Sequence, residues 1–273
     1  MATSQHDKAV RFRALHQGEA FVIPNPWDAG SARMLAALGF PALATSSGAQ
    51  AGVLGRRDGK VTRDEALAHA RGIVDAVDLP VSADLEKGFG DSPEVVAETV
   101  RLAASVGLVG CSIEDATGDR EKPSYDLPHA KERVAAAVRA ARALPFPFTL
   151  TGRTENFLRP NSSLEDTIAR LRAFEEAGAD VLMAPGLPDL AAVRAVCAAV
   201  GKPVNFMAGI KGKSFTVGEL VSAGVKRISL ATSLYRMAMT GAQEAAREVK
   251  ERGTFGYIDR SLATPEMHQF LQG

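Results

Sequence analysis

Cysteine, aromatic residues and net charge are all scarce in this 273-residue chain, and each scarcity removes a class of function. The two cysteines, Cys111 and Cys197, match neither a zinc spacing nor a disulfide framework, and their apolar surroundings mark them as core residues. Lys plus Arg and Asp plus Glu number 32 each, so no net field draws the chain to nucleic acid or to a membrane surface. No run approaches the roughly 20 apolar residues of a membrane span, and the opening stretch MATSQHDKAVRFRALHQ has no apolar leader core. The expected location is cytoplasmic, and the expected partners are small molecules. The five histidines, His6, His16, His69, His129 and His268, fall in terminal or helical segments, so no Ser-His-Asp arrangement is visible. Lys87 is the lysine nearest a strand end, and beside Glu86 it reads as a loop residue or a carboxylate partner rather than a Schiff-base lysine.

What the chain does have is 46% apolar content, enough for one large core, at a length close to the roughly 250 residues typical of a (β/α)8 barrel. One pattern recurs: a helical stretch, a glycine, then a short apolar strand ending in polar residues. It appears in LAALGFPALATSS, LAASVGLVGCSIED, FEEAGADVLMAP and LVSAGVKRISLATS. Gly39, Gly107, Gly178 and Gly224 fit the left-handed position that closes a helix. Strands are predicted near 21–26, 42–46, 80–84, 110–114, 147–153, 180–185, 203–208 and 227–232. Helical segments with caps such as Thr62 and Ser92 alternate with them. Eight such units predict a single α/β domain over 1–273, a (β/α)8 TIM barrel with a C-terminal helical extension over about 241–273. An open doubly wound sheet is the alternative, but the first strand lacks GxGxxG.

In such a barrel the carboxyl ends of the strands converge on one mouth. The predicted tails include Asn25, Thr45, Ser46 and Ser47, Asp84 and Glu86, Glu114 and Asp115, Arg153 and Glu155, Asn205, and Thr232 and Ser233. Alternation puts Ser82, Asp84 and Glu86 on one face of a strand, and Thr151, Arg153 and Glu155 on one face of another. A mouth rich in carboxylates and free of a His or Cys cluster suits a hard cation such as Mg²⁺, with Mn²⁺ as the alternative, and suits zinc poorly. Solvated strand ends are the competing reading. Arg153 either holds a substrate carboxylate in two parallel hydrogen bonds or neutralises Glu114 or Glu155. The turn of Ser46, Ser47 and Gly48 is a candidate donor set for a second carboxylate or an oxyanion, and Asn205 is either a substrate contact or a turn residue. Gly88 and Gly90 in GFGDSPE superficially resemble a phosphate loop, but a tight turn before the Ser92 cap explains them as well.

The segments NPWDAGSARMLAALGFPALATSS, LGRRDG, SADLEKGFGDSPEVVAETV, GCSIEDATGD and LTGRTENF, taken in order, resemble the isocitrate lyase and phosphoenolpyruvate mutase superfamily over about residues 20 to 235. The resemblance implies a barrel whose eighth helix is exchanged with a neighbour, in a homodimer or a homotetramer built from dimers. It also implies Mg²⁺ and a 2-oxo acid at the mouth. By position, Asp84 is then the direct metal ligand, Glu86 and Glu114 hold the metal's waters, Asp58 borders the site, and Arg153 and the Ser46 to Gly48 turn face the substrate. The chemistry implied is cleavage of a carbon–carbon or carbon–phosphorus bond through a pyruvate enolate.

The chain departs from that pattern on the loop ATGDREKPSYD, where the lyases carry Lys-Arg-Cys-Gly-His and the phosphonopyruvate enzymes carry Lys and Asn in a Phe-Pro-Lys-x-Asn stretch. Lys122 and Arg120 are the candidate substitutes, and Tyr125 is a candidate proton donor. The leading expectation is a Mg²⁺-dependent lyase or decarboxylase of a small 2-oxo or 2-hydroxy polycarboxylate, because carbon dioxide leaves without an acid on its side. Carbon–phosphorus chemistry and a metabolite-binding barrel without turnover are the alternatives.

Overall fold

The computed structural model describes residues 3–159, 163–213 and 215–271. The first and last two positions of the expected domain therefore lie outside the described residues. Eight strands form one parallel sheet: β1 (Phe21–Ile23), β2 (Leu43–Ala44), β3 (Val81–Asp84), β4 (Gly110–Glu114), β5 (Thr149–Arg153), β6 (Val181–Met183), β7 (Val204–Met207) and β8 (Arg227–Ser229). Each pairs with its sequence neighbour from β2 to β8, and β8 returns to pair in parallel with β1. At the remaining seam, the Ala44 amide donates to the Pro24 carbonyl at 3.1 Å. The sheet is thus a nearly closed (β/α)8 barrel.

The helices are α1 (Gln5–Leu15), α2 (Ala29–Ala37), α3 (Ser47–Val53), α4 (Arg63–Ala76), α5 (Pro93–Ser105), α6 (Leu127–Arg142), α7 (Leu164–Glu176), α8 (Leu190–Ala199), α9 (Val217–Ser222), α10 (Ser233–Arg252) and α11 (Thr264–Leu271). Their starts follow from local chemistry. Thr62 and Thr216 close reciprocal capping boxes with Glu65 and Glu219, and Ser92 caps α5 ahead of Pro93. The four glycines expected to close helices have φ between +86° and +98°, a region where a Cβ would be strained. None of the described helices is long and apolar enough to cross a membrane.

The main core lies between the sheet and its surrounding helices, with Leu43, Leu108, Ile113, Phe148, Leu150 and Phe174 fully buried. Cys111 belongs to this core, while Cys197 packs at its edge. Helix α1 covers the N-terminal end of the barrel, where the Phe12, His16 and Phe21 rings meet edge to face at 4.9 and 5.2 Å. Helix α10 begins at Ser233, so the expected boundary near 241 falls inside it, and it buries none of its residues on the chain. Helix α11 returns to α2, where Arg33 Nη1 donates to the Leu271 carbonyl at 2.9 Å.

Asn25 holds the seam from inside. Its Nδ2 donates to the Thr45 carbonyl after β2 at 2.9 Å, and its Oδ1 accepts from the Leu230 amide after β8 at 2.9 Å. One buried side chain therefore ties the two neighbours of β1 together. Asn25→Ala leaves a buried carbonyl and a buried amide unpaired, so urea unfolding should show a loss of about 2–4 kcal/mol. A loss below about 0.5 kcal/mol, within the range of ordinary surface substitutions, means that the seam is held elsewhere.

Candidate active site at the barrel mouth

A cavity of about 230 Å³ opens among the carboxyl ends of the strands. Asp58, Asp84, Arg153, Glu155, Asn205 and the Ser46 to Gly48 turn all border it. The strands deliver these groups for the reason the alternation suggests: Arg153 ends β5, opposite Glu114 at the end of β4, and Asp84 ends β3.

Arg153 is the centre of the arrangement. Its Nε and Nη2 lie 2.7 and 2.6 Å from Glu155 Oε1, its Nε lies 3.4 Å from Glu114 Oε2, and its Nη1 lies 3.5 Å from Asp84 Oδ2. The side chains of Arg153, Glu114 and Asp84 are only 13 to 16% exposed, so solvent screens these charges little. Burial alone would lower the basicity of the guanidinium, but Glu155, Glu114 and Asp84 hold it well above the usual range. The neutralising reading of Arg153 is therefore realised with Glu155, while its Nη1 end carries no hydrogen bond of this kind.

Asp84 is fixed by the protein on both oxygens. Oδ2 accepts from the Ser47 amide at 3.3 Å and the Ser47 hydroxyl at 3.0 Å, and Oδ1 accepts from the Glu86 amide at 3.2 Å. Gly48 has to be glycine here, since an added Cβ would lie 2.8 Å from Thr232 Cγ2 and 3.1 Å from Asp58 Oδ2. Ser46 caps the short helix α3 through the Ala49 amide. Both donors of Ser47 are thus committed to Asp84, while Ser46 Oγ serves as an acceptor.

Glu86 does not continue the alternation of β3. The strand ends at Asp84, and Glu86 takes φ = +49°, which removes its side chain from the row formed by Ser82 and Asp84. It stays beside the other acids: burial, then Asp84 and Asp58, push its carboxyl up to about 7. Burial and Asp84 likewise raise Asp58. Burial raises Glu114 well above the carboxylate range, Arg153 opposes this, and Glu155, Asp84 and Glu86 add to it.

The second acid of the Glu-Asp pair faces the other way. Asp115 is 2% exposed, its Oδ1 accepts from the Glu155 amide at 2.9 Å, and its Oδ2 pairs with Arg170 Nη1 at 3.1 Å. It holds the chain that carries Glu155 rather than joining the cavity.

Among the described residues, no three His, Cys, Asp or Glu side chains converge as a ready metal cage. The donor set is nevertheless all oxygen, and its carboxyls repel one another with one guanidinium among them. That chemistry fits a hard divalent cation that keeps several waters between itself and its carboxylates.

Two of the loop candidates do not reach the mouth. Tyr125 donates to Asp91 Oδ1 at 2.5 Å and lies under the Arg133 guanidinium, 4.2 Å from its carbon to the ring centre. Lys122 is 65% exposed and lies 3.9 Å from Asp126. Asn205 is not a turn residue: it sits inside β7, 1% exposed, with Nδ2 donating to Ser229 Oγ at 3.0 Å. The sequence reading overlooked Arg227, which lines the same cavity. Its signal was a charged residue opening an otherwise apolar strand.

The model of the phosphoenolpyruvate phosphomutase family matches residues 12–250. The chain belongs to that family, and with it to the isocitrate lyase and phosphoenolpyruvate mutase superfamily. It is an enzyme of that superfamily. It is 30% identical to the 2-methylisocitrate lyase of Escherichia coli K12 over 98% of its length and 93% of that protein's. A Burkholderia cenocepacia J2315 structure provisionally described as a lyase/mutase superposes with a TM-score of 0.96 at 50% identity, covering 98% of this chain and 97% of that one. Oxaloacetate acetylhydrolase in complex with its product oxalate superposes with a TM-score of 0.88 at 26% identity, covering 98% and 95%.

The raised Glu86 carboxyl gives a pH test with a defined sign. Its folded value of about 7 lies above the ordinary 4.5, so the folded state binds the extra proton. The contribution is fully present below 4.5 and is lost as pH rises through about 7. Chelator-treated protein should lose on the order of 1–2 kcal/mol between these limits, read as several degrees in melting temperature. Glu86→Gln should flatten the profile; an unchanged slope in that variant would assign the titration to another group.

Proposed function

We propose that the chain is a Mg²⁺-dependent carbon–carbon lyase or decarboxylase that acts on a small 2-oxo or 2-hydroxy polycarboxylate through a pyruvate enolate. The observation that supports this reading most directly is the cavity itself: the Arg153 guanidinium set among the carboxylates of Asp58, Asp84 and Glu155, in a space suited to a few carbons. Asp84, Glu86 and Glu114 are the groups that would hold the cation, Asp84 directly and the two glutamates through water. When bound, such a cation supplies Lewis-acid polarisation of a 2-oxo group and stabilises negative charge on its oxygen.

The chain's own residues do the rest. Ser47 fixes the Asp84 carboxylate, so the ligand does not swing toward Arg153. Arg153 is anchored by Glu155 and offers its Nη1 end to the carboxylate next to the ketone. Asp58 and the Ser46 to Gly48 turn form the wall opposite. Loss of carbon dioxide needs no acid on the departing side, which accords with a loop lacking cysteine and histidine. Tyr125 and Lys122 face away from the cavity, so solvent is the proton source for the enolate carbon in this reading.

Chelator-treated protein supplied with Mg²⁺ should form pyruvate from at least one of oxaloacetate, methylisocitrate, dimethylmalate or phosphonopyruvate, or glyoxylate from isocitrate. Oxalate and acetate from oxaloacetate would mark hydrolysis instead, and phosphorus NMR of the phosphonopyruvate incubation separates the mutase-type alternative. Asp84→Ala should abolish the metal-dependent activity while leaving the melting temperature near or above that of wild type, because it also relieves carboxylate repulsion. Arg153→Lys should lose more than about tenfold in activity, equivalent to roughly 1.4 kcal/mol, because an ammonium cannot hold Glu155 and a substrate at once. Inert protein across the whole panel would defeat the enolate reading.

The assembly belongs to the same proposal. Helix α10 leaves Met237 and Met239 66% and 51% exposed, with Val249 further along it at 37%. An amphipathic 20-residue helix that meets its own chain through its first turn, at Leu234 and Tyr235, and buries none of its residues there suits exchange with a second copy, in a homodimer or a homotetramer. Light scattering after gel filtration should give a mass at least twice 28.8 kDa, and Met237→Glu with Met239→Glu should reduce it. A 28.8 kDa wild-type species rules the exchange out.

A further inference from the structure

Below the mouth, the barrel holds a second cation that no acidic side chain balances. Arg227 opens β8 facing inward and is 5% exposed. Its Nε donates to Asn205 Oδ1 at 2.9 Å, its Nη2 donates to Thr151 Oγ1 at 2.9 Å, and its Nη1 lies 3.2 Å from His16 Nε2. His16 Nδ1 lies 2.8 Å from the Phe12 carbonyl, a contact that only an N–H satisfies. Its proton therefore sits on Nδ1, and its Nε2 accepts from Arg227. Burial and the neighbouring guanidinium push the imidazole down to about 3, so it is neutral.

All three side-chain partners of Arg227 are thus uncharged. A guanidinium carries five N–H groups, and two of these have no protein acceptor among the described residues. Burial lowers the guanidinium to about 9, with no carboxylate opposing it. A buried cation without a counterion is an unfavourable arrangement unless something else supplies the charge. The free space that reaches Arg227 is the same cavity that reaches Arg153.

The strands define the distance between the two cations. Thr151 and Arg153 are two residues apart on one face of β5, and Arg227 is bonded to Thr151. The two cations therefore stand at different depths of one cavity, separated along β5 by a backbone rise of roughly 7 Å. The same cavity is lined by Ser82, Ser112 and Ser229 alongside Ile23, Met183 and Met207. Ser229 Oγ accepts from Asn205 Nδ2, which leaves its own hydrogen to donate into the space.

We infer that Arg227 and Ser229 form a floor subsite that takes the second carboxylate of a dicarboxylate whose first is held at Arg153. This rests on the mouth being the substrate site, and it narrows the substrate class to acids that carry a carboxylate at each end. Asn205 is a positioning residue: it orients Arg227 through Nε and Ser229 through Oγ.

Lactate and malate differ by that second carboxylate and make a matched pair for calorimetric titration of the Mg²⁺-loaded protein. Wild type should bind malate at least tenfold tighter than lactate. Arg227→Met should bind both at the lactate level, with a melting temperature equal to or above that of wild type. Asn205→Asp places a carboxylate against Arg227 Nε and should also remove the preference for malate, which decides the matter if Arg227→Met does not fold. Equal binding of lactate and malate by wild type, or a malate preference that survives in either variant, overturns the floor subsite alone. Equal binding of lactate and malate together with a lactate affinity that inorganic phosphate tightens overturns it in favour of a free anion. Failure of wild type to bind either acid overturns it together with the reading of the mouth.

Discussion

A single guanidinium, Arg153, faces the buried carboxyls of Asp84, Glu114 and Glu155, and the arrangement of β3, β4 and β5 depends on that contact. Buried carboxylates without a counter-charge would take up protons or loosen the strand ends that carry them. Glu155 takes the closest share because its backbone is tied to Asp115, which is itself held by Arg170. Glu114 and Asp84 sit at 3.4 and 3.5 Å, beyond hydrogen-bond range, and so keep lone pairs for another cation. Arg153 is thus first a structural cation, and its Nη1 end is what it retains for chemistry.

The interior beneath it is polar for a related reason. A barrel filled with branched apolar side chains would be more stable, but it would leave no space along the axis. Here serines, threonines and Asn205 line the axis, and each buried polar group has to find a partner. Asn25 does so by bridging the β1 seam, and Asn205 by bridging Ser229 and Arg227. These contacts close the barrel without filling it. The cavity is a consequence of satisfying polar groups laterally, from strand to strand, rather than across the axis.

The barrel was legible in the sequence because its signals are local. Capping residues, helix-closing glycines and short apolar strands act within a few residues, and all eight strands lie where those signals placed them. Asp84, Glu114 and Arg153 were legible as strand-end residues for the same reason. Glu86 was less so, because a backbone turn at φ = +49° ends the alternation that strand reading extends through it. Glu114 and Asp115 looked like one acidic pair, yet successive residues on a strand face opposite ways, so only the first meets Arg153. The loop residues were the least legible. Tyr125 is drawn to Asp91 and Arg133 by contacts 34 and 8 residues away in sequence, and nothing in ATGDREKPSYD announces either. Arg227 was hidden by its strand, since a buried arginine with neutral partners leaves no acidic companion in the sequence to mark it.

The charges along the axis are separated in a way that neither end corrects. Acids exceed bases at the mouth, where Asp58, Glu86 and Glu114 are all pushed toward protonation by burial and by neighbouring carboxylates, Asp84 among them in each case. The floor has the opposite imbalance, a buried guanidinium among neutral groups. Neither imbalance serves folding, because an apolar residue of similar size would remove either at little cost to stability. In the proposed reading both would be relieved together by two occupants: a divalent cation among the mouth acids and a dianion reaching from Arg153 to Arg227. A monoanion corrects only the upper part, and a cation alone leaves the floor charged. The residues whose charges the chain itself leaves unbalanced are therefore the ones that would give the proposed occupants their signs.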